Sequence, residues 1–440
     1  MERIIQNFDA LAENELRTDA LAIAEAGFAA IDIRAAITRS FIIENDELRI
    51  SGRTIRLAGR RIFFVGVGKC AFAAAESIES LLGDRLAGGI ALDVFPERKK
   101  LTKIETCVGT HPLPSETNEH ATARILAFLS GMREDDLVIM LISGGGSALL
   151  CSYEEPMTFA DESALFKELT AHGIAIQEMN TIRKHTSRAR GGGLSRAAFP
   201  AEVLSIIVSD VPENDIEFIS SGPTARDTST VKDASDVLAR YDVSLPSNAR
   251  LIETTKEAEY FARVDNLLFL TNRDALVAMR DEAARRGYAT EIASDHFSGE
   301  ARDIGRAIIE KLHKAPGKSA LLYAGESTVV IPKNSEPCEH APTQVSPKGG
   351  RNQEMVLAVL ETLNSDELIL PFSSDGHDNT DAAGAIGDNL TREHARTKGL
   401  SANDHLEKHL SYDFFKETGD ALHTGYTGSN VSDLVVTLKN

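Results

Sequence analysis

Residues 137–147 read Leu-Val-Ile-Met-Leu-Ile-Ser-Gly-Gly-Gly-Ser, an uninterrupted apolar run that ends in a turn of three glycines. A run that is apolar at every position is typical of a strand buried on both faces of a parallel sheet. Similar runs end in turn residues at 61–71 and 203–210, and stretches with the pattern of helices lie between them. The sequence therefore predicts an α/β fold with mostly parallel, helix-covered sheets.

A looser stretch at residues 226–247, rich in Asp, Ser and Thr, indicates a domain boundary. A second series of strands and helices begins near Leu267, and a length of 440 residues agrees with two or three domains. We therefore expect a Rossmann-like domain over residues 1–245 and a second α/β domain over residues 250–414.

The composition limits the kinds of molecule that the protein is expected to bind. The chain carries 47 basic and 66 acidic residues, a formal net charge of −19, which argues against a nucleic acid or an anionic membrane surface as partner. The sequence shows neither an apolar tract of membrane-spanning length nor an export signal, and its four cysteines form no CxxC pair. These features predict a cytoplasmic protein that acts on a small molecule. A homodimer is compatible with the sequence.

The first glycine turn allows two interpretations. Gly66-Val-Gly-Lys69-Cys-Ala71 fits the dinucleotide pattern G-x-G-x-x-A and is followed by Asp93, which indicates an NAD site. The alternative is a glycine turn needed only for close packing of strand and helix. In either case Lys69 at a helix start could complete a phosphate or carboxylate site.

The turn of three glycines carries a more specific signal. Successive glycines expose backbone N–H groups that can form an anion-binding nest, and two hydroxyls flank them. We therefore expect phosphate to bind at this turn, at Ser143, Gly144, Gly145, Gly146 and Ser147.

Two further segments contain charged side chains at helix or strand ends. Lys348-Gly-Gly-Arg351-Asn352 could hold a carboxylate or a transferring phosphoryl group, although a solvated helix start would look similar. Residues 373–381 contain three aspartates, among them Asp375 and Asp378, a composition suited to Mg²⁺ or to an Asx-rich turn.

Taken together, these motifs resemble the class II glycerate 2-kinase family, whose C-terminal half is the MOFRL domain. The matching segments cover most of the chain from residue 65 to 434 and occur in order. They are Val65-Gly-Val-Gly-Lys69, Gly109-Thr-His111-Pro, Ser143-Gly-Gly-Gly-Ser147, Asn180-Thr-Ile-Arg-Lys-His185, Ser209-Asp210, Gly325-Glu326, Gly349-Gly-Arg351-Asn-Gln, Asp375-Gly and Thr427-Gly-Ser-Asn430-Val-Ser-Asp433.

The resemblance implies an activity and a place for it. It implies ATP-dependent phosphorylation of D-glycerate to 2-phosphoglycerate with Mg²⁺, in a cleft between two α/β domains, the second of them of the MOFRL type. It also implies that the residues from about 415 to 440 pack back on the first domain.

Residue roles follow from the same resemblance. It implies that Lys69 and Arg351 serve the substrate and the transferring phosphoryl group, and that Asp210 activates the hydroxyl or holds the metal. Further roles implied by the resemblance are substrate binding by His111 and Asn352, nucleotide binding by Glu326, and metal binding by Asp375 and Asp378.

Other functions stay open at this point. An NAD-dependent hydroxypyruvate reductase would use the G-x-G-x-x-A turn, a kinase for a related sugar acid would use the same motifs, and a non-catalytic sensor of sugar acids or nucleotides is a third class.

Overall fold

The computed structural model describes residues 3–96, 99–211, 214–331 and 348–440. The chain divides into two compact units. The central unit holds Ile33–Leu270 and Gly428–Asn430, and the terminal unit holds Met1–Asp32, Thr271–Thr427 and Val431–Asn440.

The secondary structure alternates between helices and strands, as the sequence predicts. In chain order the helices are α1 Phe8–Leu11, α2 Glu15–Ile31, α3 Ile33–Ser40, α4 Ala71–Leu82, α5 Glu116–Leu129, α6 Gly146–Leu149, α7 Phe159–Ala171, α8 Ile176–Lys184, α9 Gly193–Ala198, α10 Val231–Arg240, α11 Asn272–Arg285, α12 Ala301–Lys314, α13 Arg351–Val359, α14 Asn389–Lys398, α15 Ala402–Glu407 and α16 Ser411–Thr418. The strands are β1 Ile42–Glu44, β2 Glu47–Ile50, β3 Arg53–Arg56, β4 Ile62–Val67, β5 Leu86–Asp93, β6 Ile104–Val108, β7 Leu137–Ile142, β8 Glu202–Val208, β9 Val264–Leu270, β10 Ala289–Glu300, β11 Ser319–Thr328, β12 Glu367–Ser373, β13 Gly384–Ala385, β14 Ala421–Leu422 and β15 Asp433–Lys439.

The central unit is built on a six-stranded sheet of order β6-β5-β4-β7-β8-β9, in which all neighbouring strands are parallel. This is the Rossmann order, 3-2-1-4-5-6 in the sequence of its strands. The order reverses between β4 and β7, so the crevice beyond the ends of these two strands is where such sheets bind ligands. A small antiparallel sheet, β1-β2-β3, precedes it in the chain.

The strands of this sheet are apolar because helices cover both of its faces. Every residue of β4 and of β7 is buried. Their side chains pack with helical residues such as Ile125 of α5 and Leu194 of α9 in one hydrophobic cluster. The continuous apolar runs are thus explained by burial on both sides.

The terminal unit has a mixed sheet of order β10-β11-β15-β12-β13-β14. Only β10 and β11 run parallel in this sheet, and each other neighbouring pair is antiparallel. β15 lies between β11 and β12, and its Val436 is paired with Leu322 on one side and Leu370 on the other. The α/β class is confirmed, with one all-parallel and one mixed sheet.

The division of the chain differs from the expected domains at the first boundary. β9 pairs with β8 in parallel, so the central unit extends to Leu270 and does not end near residue 245. The first 32 residues belong to the terminal unit. There the ring of Phe28 lies 4.7 Å from that of Phe372, and buried Arg17 forms a bidentate ion pair with Asp388.

The end of the chain also differs from the expectation. Residues from about 415 onward were expected to pack on the first domain, but β15 forms part of the terminal unit's own sheet. Antiparallel pairing on both sides satisfies the backbone of this strand, which fixes it there. Of this segment, only Gly428–Asn430 groups with the central unit.

No helix in the described ranges combines the length and the apolar character that crossing a membrane requires.

Candidate functional site

The turn after β4 makes its hydrogen bonds within the protein. The amides of residues 68–72 donate in order to Leu92 O, Gly144 O, Ser143 Oγ, Gly68 O and Asp93 Oδ2. The buried Asp93 carboxylate also accepts from the amides of residues 94 and 95. A dinucleotide pyrophosphate would need free amides at this helix start, and a ribose would need the carboxylate. The packing interpretation of this glycine turn therefore fits the structure better than the NAD interpretation.

The turn after β7 has a different hydrogen-bond pattern. Gly145 has φ of +87°, a left-handed conformation that suits glycine, and it precedes the short helix α6. In the part of the chain that the structure describes, the amides of Gly144 and Gly145 donate no hydrogen bond. Two neighbouring free amides beyond a parallel strand are the donors of an anion nest. The turn thus presents the two free amides that a phosphate site would use.

Asp210, which follows β8, lies directly against this turn. Its Oδ2 accepts a hydrogen bond of 2.9 Å from Asn430 Nδ2. A Cβ atom built on Gly144 would lie 1.8 Å from Asp210 Oδ2 and 2.0 Å from Asn430 Nδ2, so glycine is required there. The structure therefore brings a carboxylate and a carboxamide to the edge of the triple-glycine turn.

Lys69 and His111 flank the next residue of the turn. A Cβ atom built on Gly145 would lie 3.4 Å from Lys69 Cγ and 3.5 Å from His111 Cδ2, which is ordinary contact. His111 is exposed and Lys69 is half-buried. Three strand ends of one parallel sheet, those of β4, β6 and β7, thus contribute a cation, an imidazole and free amides to one place.

Hydrogen bonds from two serine side chains hold the triple-glycine turn in position. Ser220 Oγ donates to Ser143 O over 2.6 Å, and Ser147 Oγ lies 2.8 Å from Ser221 Oγ. Ser220 and Ser221 have φ of +52° and +61°, which is unusual for residues other than glycine. Strained backbone of this kind concentrates at functional sites. Neither serine was among the candidate site residues predicted from the sequence.

In the terminal unit, Arg351 is the first residue of α13 and is held by two carboxylates. Its Nε and Nη2 donate to Asp433 over 2.5 and 3.1 Å, and its Nη1 donates to Glu326. These carboxylates raise the pKa of Arg351 well above its usual value, against the effect of burial. Burial in turn raises the pKa of Asp433. Three of the five guanidinium N–H groups are used in these contacts, so two could serve a ligand.

Asp378 has a structural role that the sequence did not predict. Its carboxylate accepts hydrogen bonds from the backbone amides of Asn352 and Gln353, over 3.1 and 2.9 Å, and so caps the start of α13. Burial, followed by repulsion from Asp433, raises the pKa of Asp378 to about 6. Both of its oxygens accept hydrogen bonds, so a metal ion at Asp378 would compete with these amides for the carboxylate.

Asp375 and Asn352 lie in the same unit. Asp375 Oδ1 accepts from Ser373 Oγ and from the amide of His377, each over 2.9 Å. The buried Oδ1 of Asn352 has no hydrogen-bond partner among the described residues, so it could accept from a hydroxyl group.

The candidate residues thus form one group in each unit. Lys69, His111, Asp210 and residues 143–147 belong to the central unit, and Glu326, Arg351, Asn352, Asp375 and Asp378 belong to the terminal unit. Asn430 and Asp433 were part of a motif in the sequence but were not candidates, and each proves to be the partner of a candidate residue.

Comparison with known proteins identifies both parts of the chain. Residues 19–253 match a domain of unknown function, DUF4147, and residues 319–433 match the MOFRL family. A glycerate 2-kinase from Pyrococcus horikoshii is 32% identical over 96% of this chain and 97% of its own. A putative hydroxypyruvate reductase from Agrobacterium vitis is 36% identical over 85% of this chain and 86% of its own.

A solved structure is similar throughout. The crystal structure of glycerate kinase from Thermotoga maritima superimposes with a TM-score of 0.77 at 28% identity, covering 96% of this chain and 99% of that one. Both the sequence matches and the structural match extend over both units. The chain therefore belongs to the class II glycerate 2-kinase family, the MOFRL family.

Proposed function

We propose that this protein is a glycerate 2-kinase that transfers the γ-phosphoryl group of ATP to the 2-hydroxyl of D-glycerate, with release of 2-phosphoglycerate and ADP. The observation that carries the proposal is the turn at residues 143–147. It offers two free amides beyond a parallel strand, and Asp210 and Lys69 lie against it. The kinases among its relatives support the same reaction.

The nucleotide phosphates would bind at the triple-glycine turn. The amides of Gly144 and Gly145 provide donors whose position is fixed by the fold, so no reorganisation is needed when negative charge arrives. Ser143 and Ser147 are held by Ser220 and Ser221 and would keep the turn in this shape. Glu326, the exposed partner of Arg351, remains our proposed contact for the rest of the nucleotide.

Asp210 would act on the substrate hydroxyl. Asn430 orients its carboxylate by donating to Oδ2, and this carboxylate would accept the proton that the 2-hydroxyl loses during transfer. Lys69 and His111 would bind the carboxylate of glycerate beside it, because an ammonium group and an imidazole donor suit that anion. These contacts would align the hydroxyl, which is the main requirement of phosphoryl transfer.

Arg351 would stabilise negative charge on the transferring group. Asp433 holds its guanidinium in one orientation, and two N–H groups remain to donate to phosphoryl oxygens. The unpaired Oδ1 of Asn352 could accept from a substrate hydroxyl.

The acidic residues fit a role for Mg²⁺ in part. Mg²⁺ is usually held by one or two carboxylates together with water and phosphate oxygens, and Asp210 and Asp375 would supply carboxylate oxygens of this kind. When bound, Mg²⁺ would neutralise charge on the phosphate oxygens. Asp378 does not fit, because the amides of α13 occupy its carboxylate.

We also propose that the enzyme acts in the cytoplasm. In the described part of the chain Cys70, Cys107 and Cys151 are free thiols, as expected in a reducing compartment.

The decisive test compares two reactions. The purified protein is given D-glycerate, ATP and Mg²⁺, and ADP release is followed with pyruvate kinase and lactate dehydrogenase while ³¹P NMR identifies the product. Hydroxypyruvate with NADH or NADPH is the second arm, because some relatives carry the name hydroxypyruvate reductase. ADP and 2-phosphoglycerate are expected in the first arm only. Oxidation of NADH by hydroxypyruvate without ATP turnover would refute the kinase.

Lys69→Met should abolish most turnover, and Lys103→Met, a surface lysine of the same unit, is the matched control.

A further inference from the structure

A second polar cluster lies in the terminal unit and contains none of the residues proposed for phosphoryl transfer. It consists of Glu13, two residues before the start of α2, His394 in α14 and Asp420, immediately before β14. Each of the three offers one ligand atom, and these atoms lie within 4.8 Å of one another. His394 is partly exposed and Glu13 is exposed, so an ion could enter from solvent.

Arg17 orients the two carboxylates of this cluster. Its Nη1 lies 2.8 Å from Asp420 Oδ1 and 3.1 Å from Glu13 Oε1. The orientation of the guanidinium is itself fixed, because Nε and Nη2 donate to Asp388 over 2.8 and 2.6 Å. Arg17 therefore occupies one oxygen of each carboxylate and directs the other oxygen elsewhere.

The oxygens that Arg17 does not occupy face His394. Asp420 Oδ2 lies 3.2 Å from His394 Nδ1, and Glu13 Oε2 lies 3.5 Å from His394 Nε2. Ligands 2.0–2.2 Å from a tetrahedral metal ion are separated by about 3.4 Å. A single ion would use one of the two ring nitrogens, and the exposed Glu13 side chain is free to adjust to it.

The charge of the cluster calls for a cation. Asp420 is fully buried, and no backbone amide or hydroxyl group of the described residues donates to its carboxylate. Its Oδ1 makes no hydrogen bond of normal geometry, although Arg17 is close. Glu13, Asp388 and Asp420 carry three negative charges against the one positive charge of Arg17. With a neutral imidazole the cluster therefore has a net charge of −2.

We propose that Glu13, His394 and Asp420 form a binding site for a divalent transition-metal ion such as Zn²⁺. One imidazole nitrogen and two carboxylate oxygens are a ligand set that suits Zn²⁺, whereas Mg²⁺ prefers oxygen and water alone. Arg17 supplies the outer support that orients both carboxylates. The ion neutralises the charge of −2 that the side chains leave.

The bound ion would fasten the first residues of the chain to the rest of the terminal unit. Glu13 belongs to a segment that otherwise contacts residues 421–424 through a few hydrogen bonds, such as that from Asn7 Nδ2 to Ala421 O. Metal binding should therefore raise the melting temperature of this unit, since a ligand that binds only the folded state stabilises it.

The test uses the full chain, freed of metal by a chelator that is then dialysed away. Co²⁺ is titrated as the spectroscopic probe, and Zn²⁺ binding is measured by calorimetry and by thermal melting without substrates. We expect one equivalent of Zn²⁺ to bind, to displace Co²⁺ and to raise Tm, while Mg²⁺ at the same concentration does not compete. None of these readouts depends on kinase activity, so the result is separate from that of the proposed function.

Two variants assign the binding to these residues. Glu13→Gln changes an exposed side chain and should leave the fold intact, and His394→Gln removes the nitrogen ligand. Each should weaken Zn²⁺ binding by at least the 10- to 100-fold that is typical of loss of an outer-shell partner. His120→Gln, at an exposed histidine of α5, should bind like the original protein. The proposal is overturned if no stoichiometric binding occurs, or if both variants bind Zn²⁺ with unchanged affinity.

Discussion

Replacement of Gly144 by alanine tests the proposed phosphate site most directly. The new methyl group would lie 1.8 Å from Asp210 Oδ2 and 2.0 Å from Asn430 Nδ2. To reach ordinary contact at 3.4 Å, Asp210 or the turn would have to move by about 1.6 Å. A displacement of about 1 Å in an active site can cost about 10²-fold in rate. We therefore expect kcat of Gly144→Ala to fall at least about 10²-fold, with a loss of about 1–3 kcal/mol in stability from overpacking.

The assay measures ADP release at saturating ATP and D-glycerate, and urea denaturation shows that the variant is folded. Gly131→Ala is the matched control, because the added Cβ would meet only Phe128 O, at an ordinary distance of 3.5 Å. The control should retain the kcat of the original protein. Normal kcat and KM in a folded Gly144→Ala variant would show that the position of Asp210 against the turn does not matter for the reaction, and our site would be misplaced.

Three other predictions concern charged side chains. Lys69→Met and Arg351→Lys should each lower kcat by roughly 10²- to 10³-fold, about 2.7–4 kcal/mol, by analogy with loss of one preorganised donor; a rise in KM at constant kcat would instead make these residues ground-state binders. Burial and Asp433 raise the pKa of Asp378 from 3.8 to about 6. The protonated carboxyl group of Asp378 therefore stabilises the folded state fully below about pH 4, and this stabilisation is lost as the pH rises through 6. Between pH 4 and 7 the unfolding free energy of Asp378→Asn, measured by urea denaturation, should therefore rise by up to about 3 kcal/mol relative to that of the original protein. A difference that is constant with pH would contradict this pKa. Arg17→Met leaves the buried Asp388 and Asp420 unpaired and should cost about 3–5 kcal/mol of unfolding free energy; Arg49→Met, at an exposed arginine, should change it by less than about 0.5 kcal/mol, and equal losses in both would argue against the buried network.

The sequence predicted β4, β7 and β8 of the central sheet because these strands are largely apolar and end in recognisable turns, whereas it placed β9 in the second domain. Burial on both faces leaves such a pattern, as in β4 and β7. The direction in which a strand runs leaves no such pattern in the sequence. β12 and β15 are buried almost throughout as well, yet they run antiparallel to each other, because either direction satisfies the backbone of a buried strand.

Candidate site residues can be named from the sequence, but the contacts between them cannot. The glycines at 144 and 145 indicated a phosphate site, and the structure leaves their amides free. In contrast, the turn with Gly66 and Gly68 has the same local pattern, and its amides are used internally through Ser143 and Asp93. Such contacts join residues far apart in the chain, so periodicity and spacing do not reveal them. The same reason explains why the sequence does not reveal the helix cap formed by Asp378.

The position of β15 has a consequence for how the protein is made. The ribosome produces a chain in order, and β15 is the last of the described strands to emerge, yet its place in the sheet is between β11 and β12. Until it arrives, these two strands have unsatisfied backbone groups along the edges that will face it. The sheet of the central unit is complete once β9 has been synthesised, so that unit can fold during translation. Helix α2, although synthesised early, must wait for residues translated much later. A nascent chain stalled before residue 433 should therefore contain a folded central unit and an unfinished sheet exposed to chaperones.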